Sequence, residues 1–313
     1  GYTISGLTIN RPTQNNVGLF GYVDNGTLRN IGLLGGAVSG ADYVGGLLGY
    51  NAFGVISQIY ATGAVSGTSE VGGLLGYNGG TLSQAYATGA VSGGSNVGGL
   101  LGYNGGTLIE AYATGAVSGG SNVGGLVGLT NNGGRTIASY WDTETTGQAN
   151  STGAGTGLTT TALLAALPGG FGTAAWGNGD NQTTPYLLGM SGNQVFNKND
   201  LPTGTLTTTN RPLLYTVILD VNQLQAVSSG RAGYYVLGND IDAYATATWN
   251  GGAGFAPIGD NTTTQFTGTF DGLGHNISDL AINRPTQDNV GLFGFVGNGT
   301  LRNIGLVGGS VNG

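Results

Sequence analysis

The sequence predicts an all-β chain, a right-handed parallel β-helix (β-solenoid) built of coils of 26–28 residues. Three observations carry this expectation. The phrase Val44-Gly45-Gly46-Leu47-Leu48-Gly49-Tyr50-Asn51 returns at 71–78 and 97–104, with a variant at 123–129 and a shorter relative at 17–22. The marker glycines Gly21, Gly49, Gly76, Gly102 and Gly128 lie 28, 27, 26 and 26 residues apart, a period typical of stacked repeat architectures. Within each period, short β-prone pieces alternate with Asn-Gly, Gly-Gly and Ser-Gly, which are turn signals.

Such a repeat cannot bury its apolar side alone. Ordering its backbone costs about 1–2 kcal/mol per residue, whereas half a dozen buried aliphatics return roughly 1.5–3 kcal/mol each. Stacking closes the gap by adding backbone hydrogen bonds and a continuous core. Identical residues then recur about 4.8 Å apart, so Leu47, Leu74, Leu100 and Leu126 form one internal ladder and Val44, Val71, Val97 and Val123 another. The glycines are expected at corners, where φ > 0 or close backbone approach favours them. A propeller is the competing all-β architecture, but its blades are usually longer than this period.

A second, longer period lies above the first. Residues 1–40 match 274–313 at an offset of 273, as expected of a piece of a tandem array. We divide it into solenoid coils at 1–138, an irregular excursion packed on the solenoid at 139–192, a polar, Thr-rich linker-like segment at 193–212, and the start of the next block at 213–313. The excursion holds a short helical candidate from Thr161 to Leu167, ended by Pro168-Gly169-Gly170. The next block opens with an apolar strand at 213–219. Asp220 then caps a short helix running to Val227, and strands follow at 233–237 and 266–270.

Composition excludes several function classes. Of 313 residues 66 are glycine, none is cysteine, and only 7% are charged. There is therefore no disulfide framework or thiol nucleophile, and a single histidine, His275, builds no multi-histidine metal site. Eight basic residues against fifteen acidic ones, without a basic cluster, argue against nucleic acid as a partner. No run approaches the roughly 18 apolar residues of a membrane span, and no basic-then-apolar export signal is visible at the start. No cofactor is expected.

The candidate sites are few. A Ser-His-acid mechanism would have to use His275, but Tyr2 occupies the equivalent place in the other copy, so a surface or turn histidine is the expected role. Between Leu33 and Gly134 the charged residues are Asp42, Glu70 and Glu110. Glu70 aligns with Asn96 and Asn122, and Glu110 with Gln58 and Gln84, as expected of positions that merely tolerate polarity. Asp240 and Asp242, with Asp260 and Asp271, form the densest acidic group. They are weak calcium candidates, because no calcium-loop motif accompanies them, and turn or cap roles are the expected ones. The column Tyr60, Tyr86 and Tyr112 is the ligand-binding candidate, as a platform for sugar rings, with structural stacking as its alternative. Asn51, Asn78 and Asn104 can bond along the stack. Thr62, Thr88 and Thr114 form a third column, with a flat or ice-binding surface as its functional reading.

Gly46-Leu47-Leu48-Gly49 and its copies at 73–76, 99–102 and 125–128 resemble the glycine-rich GLUG motif. The Tyr140-Trp141-Asp142-Thr143-Glu144 phrase and the 254–272 stretch are similar to segments found around such repeats. This resemblance implies the repeat region of a large secreted or surface protein of the filamentous-haemagglutinin-like adhesin type. It also occurs in some immunoglobulin A peptidases outside their catalytic domain, although no His-Glu-x-x-His sequence is present here. The expectation is a non-catalytic segment of a long extracellular bacterial fibre or adhesin, whose partners are neighbouring repeats or subunits end to end and cell-surface or matrix glycans. The alternatives are a carbohydrate-binding module and a polysaccharide-degrading β-helix.

Overall fold

A computed structural model describes residues 1–131, 133–152 and 154–313. It divides into two units, the first comprising 1–194 with 198–212, the second 195–197 with 213–313. The first is a parallel β-solenoid with three sheets. One sheet stacks Tyr2–Ser5, Thr27–Leu34, Val55–Ala61, Thr81–Ala87, Thr107–Ala113, Arg135–Asp142 and Thr156–Leu158, every pair parallel. A second holds Thr8–Asn10, Ala37–Ser39, Ala64–Ser66, Asp42–Gly45, Ser69–Gly72, Val91–Gly98 and Val117–Gly124. The third stacks Phe20–Val23, Leu48–Asn51, Leu75–Asn78, Leu101–Asn104 and Val127–Thr130. Coil-on-coil parallel pairing rules out propeller blades, which are antiparallel sheets.

The repeated phrases meet themselves in register. Val71 pairs with Val44 and Val97, Leu75 with Leu48 and Leu101, and Tyr86 with Tyr60 and Tyr112. Leu47, Leu74, Leu100 and Leu126 are fully buried in one core, while Val44, Val71, Val97 and the partly buried Val123 line a neighbouring one. A buried asparagine ladder runs beside them. Asn51 Nδ2 donates to Asn78 Oδ1 at 2.9 Å, and Asn78 Nδ2 to Asn104 Oδ1 at 3.0 Å.

The corners differ from expectation. Among the described residues between Ala37 and Thr146 no glycine is in the left-handed region; the left-handed positions are Tyr43, Glu70, Asn96 and Asn122 in one column, and Gln58, Gln84, Glu110 and Ala138 in another. Glu70 and Glu110 thus share the backbone role of the amides they align with. Glycine serves close approach instead. A Cβ on Gly76 would lie 2.4 Å from the carbonyl carbon of Tyr43, and one on Gly99 would lie 2.2 Å from the Gly125 oxygen.

Stacking also continues beyond residue 138. Tyr140 pairs with Tyr112 and Trp141 with Ala113, so the phrase 140–144 closes the solenoid and the excursion starts only after Leu158. Trp141 fills the end of the core against Gly125. Buried Asp142 accepts from the backbone N–H groups of Glu144 and Thr145 and from the Thr160 hydroxyl. A short helix, Thr160–Ala165, follows, capped by Thr159. Residues 193–212 are not a free linker either. Asn193 is buried, and Arg211 Nη2 donates to the carbonyl of Thr114 at 3.1 Å and to that of Thr88 at 3.4 Å.

In the second unit the expected strand and helix are present as Leu214–Ile218 and Val221–Ala226, with Asp220 accepting from the N–H groups of Asn222 and Gln223. Tyr234–Leu237, Thr269–Asp271 and Thr300–Arg302 continue that sheet in parallel. Phe255, Ile258, Phe266, Phe270, Ile277 and Ile282 form its core.

Candidate functional site

Two tyrosine columns run along the first unit, and they differ in what covers them. Tyr60, Tyr86 and Tyr112 stack with centroids 5.0 and 5.2 Å apart and near-parallel planes. All three are fully buried. After the last coil the chain doubles back over this column, laying Phe171, Trp176, Leu187 and Met190 on the rings. Each hydroxyl is anchored to that returning segment. Tyr112 donates to the Pro185 carbonyl at 2.6 Å, Tyr86 to Asn193 Oδ1 at 3.1 Å and Tyr60 to the Ser191 carbonyl at 2.7 Å. Trp176 Nε1 donates to Glu110 Oε2 at 3.2 Å.

This corrects the ligand assignment for Tyr60, Tyr86 and Tyr112. A sugar platform requires an exposed ring face, and here the covering segment occupies it. Burial pushes the Tyr60 phenol up to about 12 despite its hydrogen bond with Thr3, and raises the Tyr86 and Tyr112 phenols well above their ordinary value. The threonine column is likewise not a flat exposed surface. Thr88 and Thr114 are buried, and the Thr62 hydroxyl accepts from the Gly35 N–H at 2.8 Å.

The column that faces outward is Tyr22, Tyr50, Tyr77 and Tyr103. Its centroids are 5.1, 4.3 and 5.3 Å apart, with interplanar angles of 7°, 9° and 14°. Tyr22 is 57% exposed at one end of the row, and the other three are half-buried. Tyr43 packs edge-on against Tyr50 and Tyr77. It joins the rings to the left-handed corner column beside them, where Asn122 donates to Asn96 and Asn96 to Glu70, each at 2.8 Å. Desolvation, then Tyr77, pushes the Tyr50 phenol up to about 12, so it is protonated at neutral pH. Sequence reasoning overlooked this column although Tyr50, Tyr77 and Tyr103 stand inside the most regular phrase. The recurrence of Tyr50, Tyr77 and Tyr103 at 27 and 26 residues was the available signal.

The aspartates of the second unit occupy separate structural roles. Asp271 is fully buried, paired with Arg302 Nε at 2.8 Å and accepting from Asn197 and Asn303. Asp240 accepts from the Asn276 N–H at 2.8 Å and lies 3.4 Å from His275 Nδ1. Asp242 accepts from the Tyr244 N–H, and Asp260 bonds to Asn261. Among the described residues, no three His, Asp or Glu side chains gather as a metal site would require. The calcium reading of Asp240 and Asp242 therefore lacks a converging ligand set. No helix of the described residues is long and apolar enough to cross a membrane.

Comparison with known proteins gives partial relatives. No family model matches the chain, and no solved structure matches it. It is 43% identical over 96 residues to halomucin of Haloquadratum walsbyi, a stretch covering 29% of this chain and 1% of that protein. It is also 41% identical over 80 residues to a protein of Evansella cellulosilytica described as a Gly-rich membrane protein, covering 25% of this chain and 9% of the relative. The chain thus matches small parts of much longer proteins.

Proposed function

We propose that this chain is a non-catalytic, structural segment of a long cell-surface or secreted protein, of the GLUG-repeat adhesin or fibre type. The observation that carries this reading is where the repeated side chains go. The recurring leucines, valines and asparagines, and the inner tyrosines, are spent on stacking one coil upon the next. Each added coil contributes another rung of backbone hydrogen bonds without ending the pattern, so length is gained by repetition. The partial relatives support it through a giant protein and a membrane-named one. The coils display few ionisable groups, which suits a structural surface more than acid–base chemistry.

The test is immunogold microscopy of intact cells of the source organism with an antibody against the purified chain, alongside peptidase and glycan-hydrolysis assays. Gold at the cell surface or on extended extracellular material, with no turnover, is the expected outcome. Gold confined to the cell interior, or turnover at enzyme-like rates, overturns the reading.

A further inference from the structure

The two copies of the 40-residue phrase leave opposite stacking edges open. In the first copy Tyr2–Ser5 and Thr8–Asn10 are the outermost strands of their sheets, and Tyr2 and Ile4 are exposed. In the second copy the equivalent edge is in use, for Ile277 pairs with Ile241 as well as with Leu306 and is fully buried. Across the phrase the situation reverses. Gly305–Val307 and Ser310–Asn312 are outermost in the second copy, with Leu306 55% exposed. The equivalent Leu33 of the first copy lies between Ile4 and Ala61 and is only 4% exposed. Each edge is thus shown to be a stacking surface by the copy in which it is covered. None of the four open strands carries a charged residue or a proline, the devices that blunt sheet edges against pairing.

The two open edges match one another. Ile4 and Ile9 stand five residues apart across a corner at left-handed Gly6, and Leu306 and Val311 stand five apart across left-handed Gly308-Gly309. Setting Ile4 on Leu306 and Ile9 on Val311, the register the phrase uses internally, also brings Thr8 to Ser310 and Asn10 to Asn312. Asn312 Nδ2 already donates to Asn283 Oδ1 at 2.8 Å, so its oxygen is placed to accept from Asn10 and lengthen an amide ladder like that of Asn51, Asn78 and Asn104. The first copy has Ala37 and Ser39 where the second has Ser310 and Asn312, and there it takes Ala64 and Ser66. The added hydroxyl and amide of the second copy suit Thr8 and Asn10 instead, as cross-strand polar pairs.

We propose that the 305–312 edge of one copy of this chain stacks on the 2–10 edge of a second copy, by parallel strand pairing with Ile4 on Leu306 and Ile9 on Val311. The contact is heterologous, so each copy keeps an edge for the next and copies add in series. This deepens the structural reading above, on which it rests, by naming the partner; failure to self-associate would leave cell-surface location and absence of turnover to their own assays.

The test is sedimentation velocity of the full chain from about 1 μM to about 1 mM, the range of weak interfaces. The wild type should grow in mass with concentration. Ile4→Lys/Asn10→Lys closes one edge and Leu306→Lys/Asn312→Lys the other, and each variant alone should sediment as a monomer. Mixed in equal amounts, the two should form dimers and nothing larger, because each retains one open edge. Ser310→Ala/Asn312→Ser, which restores the residues of the first copy, should keep the urea midpoint and weaken association about fivefold or more. A wild type that stays monomeric throughout, a Lys variant that still associates by itself, or a folded mixture that gives no dimer overturns the proposal. So does unchanged association of Ser310→Ala/Asn312→Ser, which decides the matter should a Lys variant fail to fold.

Discussion

Asn78 is the middle rung of the buried amide ladder, and replacing it with aspartate probes how far coil stacking depends on that ladder. Asn78 Oδ1 accepts from Asn51, while Asn78 Nδ2 donates to Asn104 Oδ1 at 3.0 Å. An ionised carboxylate preserves the first bond but sets an oxygen against an oxygen at the second, in a fully buried site. Burial raises a carboxyl pKa by about 3–5 units at such sites, and three units correspond to about 4 kcal/mol. The sign follows from linkage. Because the folded pKa lies above the unfolded value, the penalty is absent below about pH 4, grows as the unfolded state ionises, and is complete above the folded pKa. Below pH 4 the neutral acid can donate to Asn104, leaving a deficit of about 1 kcal/mol. Urea denaturation of Asn78→Asp and wild type at pH 3, 5 and 7, followed by tyrosine fluorescence, reads the difference directly. Asn78→Ala, which introduces no charge, should lose about 3 kcal/mol at every pH. A variant-minus-wild-type difference that is flat with pH, or below about 1 kcal/mol at pH 7, would refute the reasoning.

Other perturbations separate the remaining contacts. Gly99→Ala places a methyl 2.2 Å from the Gly125 carbonyl oxygen and should cost about 3 kcal/mol or more. Gly133→Ala, whose nearest neighbour lies 3.6 Å away, should stay within about 0.5 kcal/mol, both read by denaturant midpoint. The raised Tyr60, Tyr86 and Tyr112 phenols stay protonated in the fold while the unfolded chain ionises near pH 10. Stability should therefore be intact below pH 10 and fall as pH climbs towards 12 and beyond, with phenolate absorbance appearing together with loss of circular dichroism. Asp271→Asn breaks the pair with Arg302 and should cost about 3 kcal/mol. Hydrogen exchange should show the loss in the second unit while the first keeps its protection.

The columns were legible because a stacked coil turns sequence period into spatial adjacency, so Leu47, Leu74 and Leu100 had one plausible arrangement. What covers a column was not legible. The period places Tyr60, Tyr86 and Tyr112 together but is silent on the segment that returns across them, whose contacts come from single residues such as Pro185, Ser191 and Asn193. The glycines were half read. Their repetition shows that backbones crowd there, but in the regular coils the left-handed turns fall to Asn, Gln, Glu and Tyr. Aligned amides at 58 and 84, and at 96 and 122, were the available clue, since Asn in particular tolerates that region.

The duplicated 40-residue phrase shows how register is set. Ile4 pairs with Leu33 and Ile9 with Val38 in one copy; at the same offset Ile277 pairs with Leu306 and Ile282 with Val311 in the other. The surroundings differ. The first copy is followed by the coil at 55–61, while the second is built upon Ile241–Asp242. Burial differs too, for Ile4 is 40% exposed and Ile277 is fully buried. A slip of one residue would turn every side chain to the opposite face, yet neither the change of neighbour nor the change of burial produces one. The register must therefore be fixed inside the phrase. Its left-handed points recur in both copies, at Asn30 and Gly35-Gly36 and again at Asn303 and Gly308-Gly309. Corners that fix where each strand starts leave the stacking edges free to accept different coils, so one phrase can follow a helical cap in one place and precede a tyrosine-bearing coil in another.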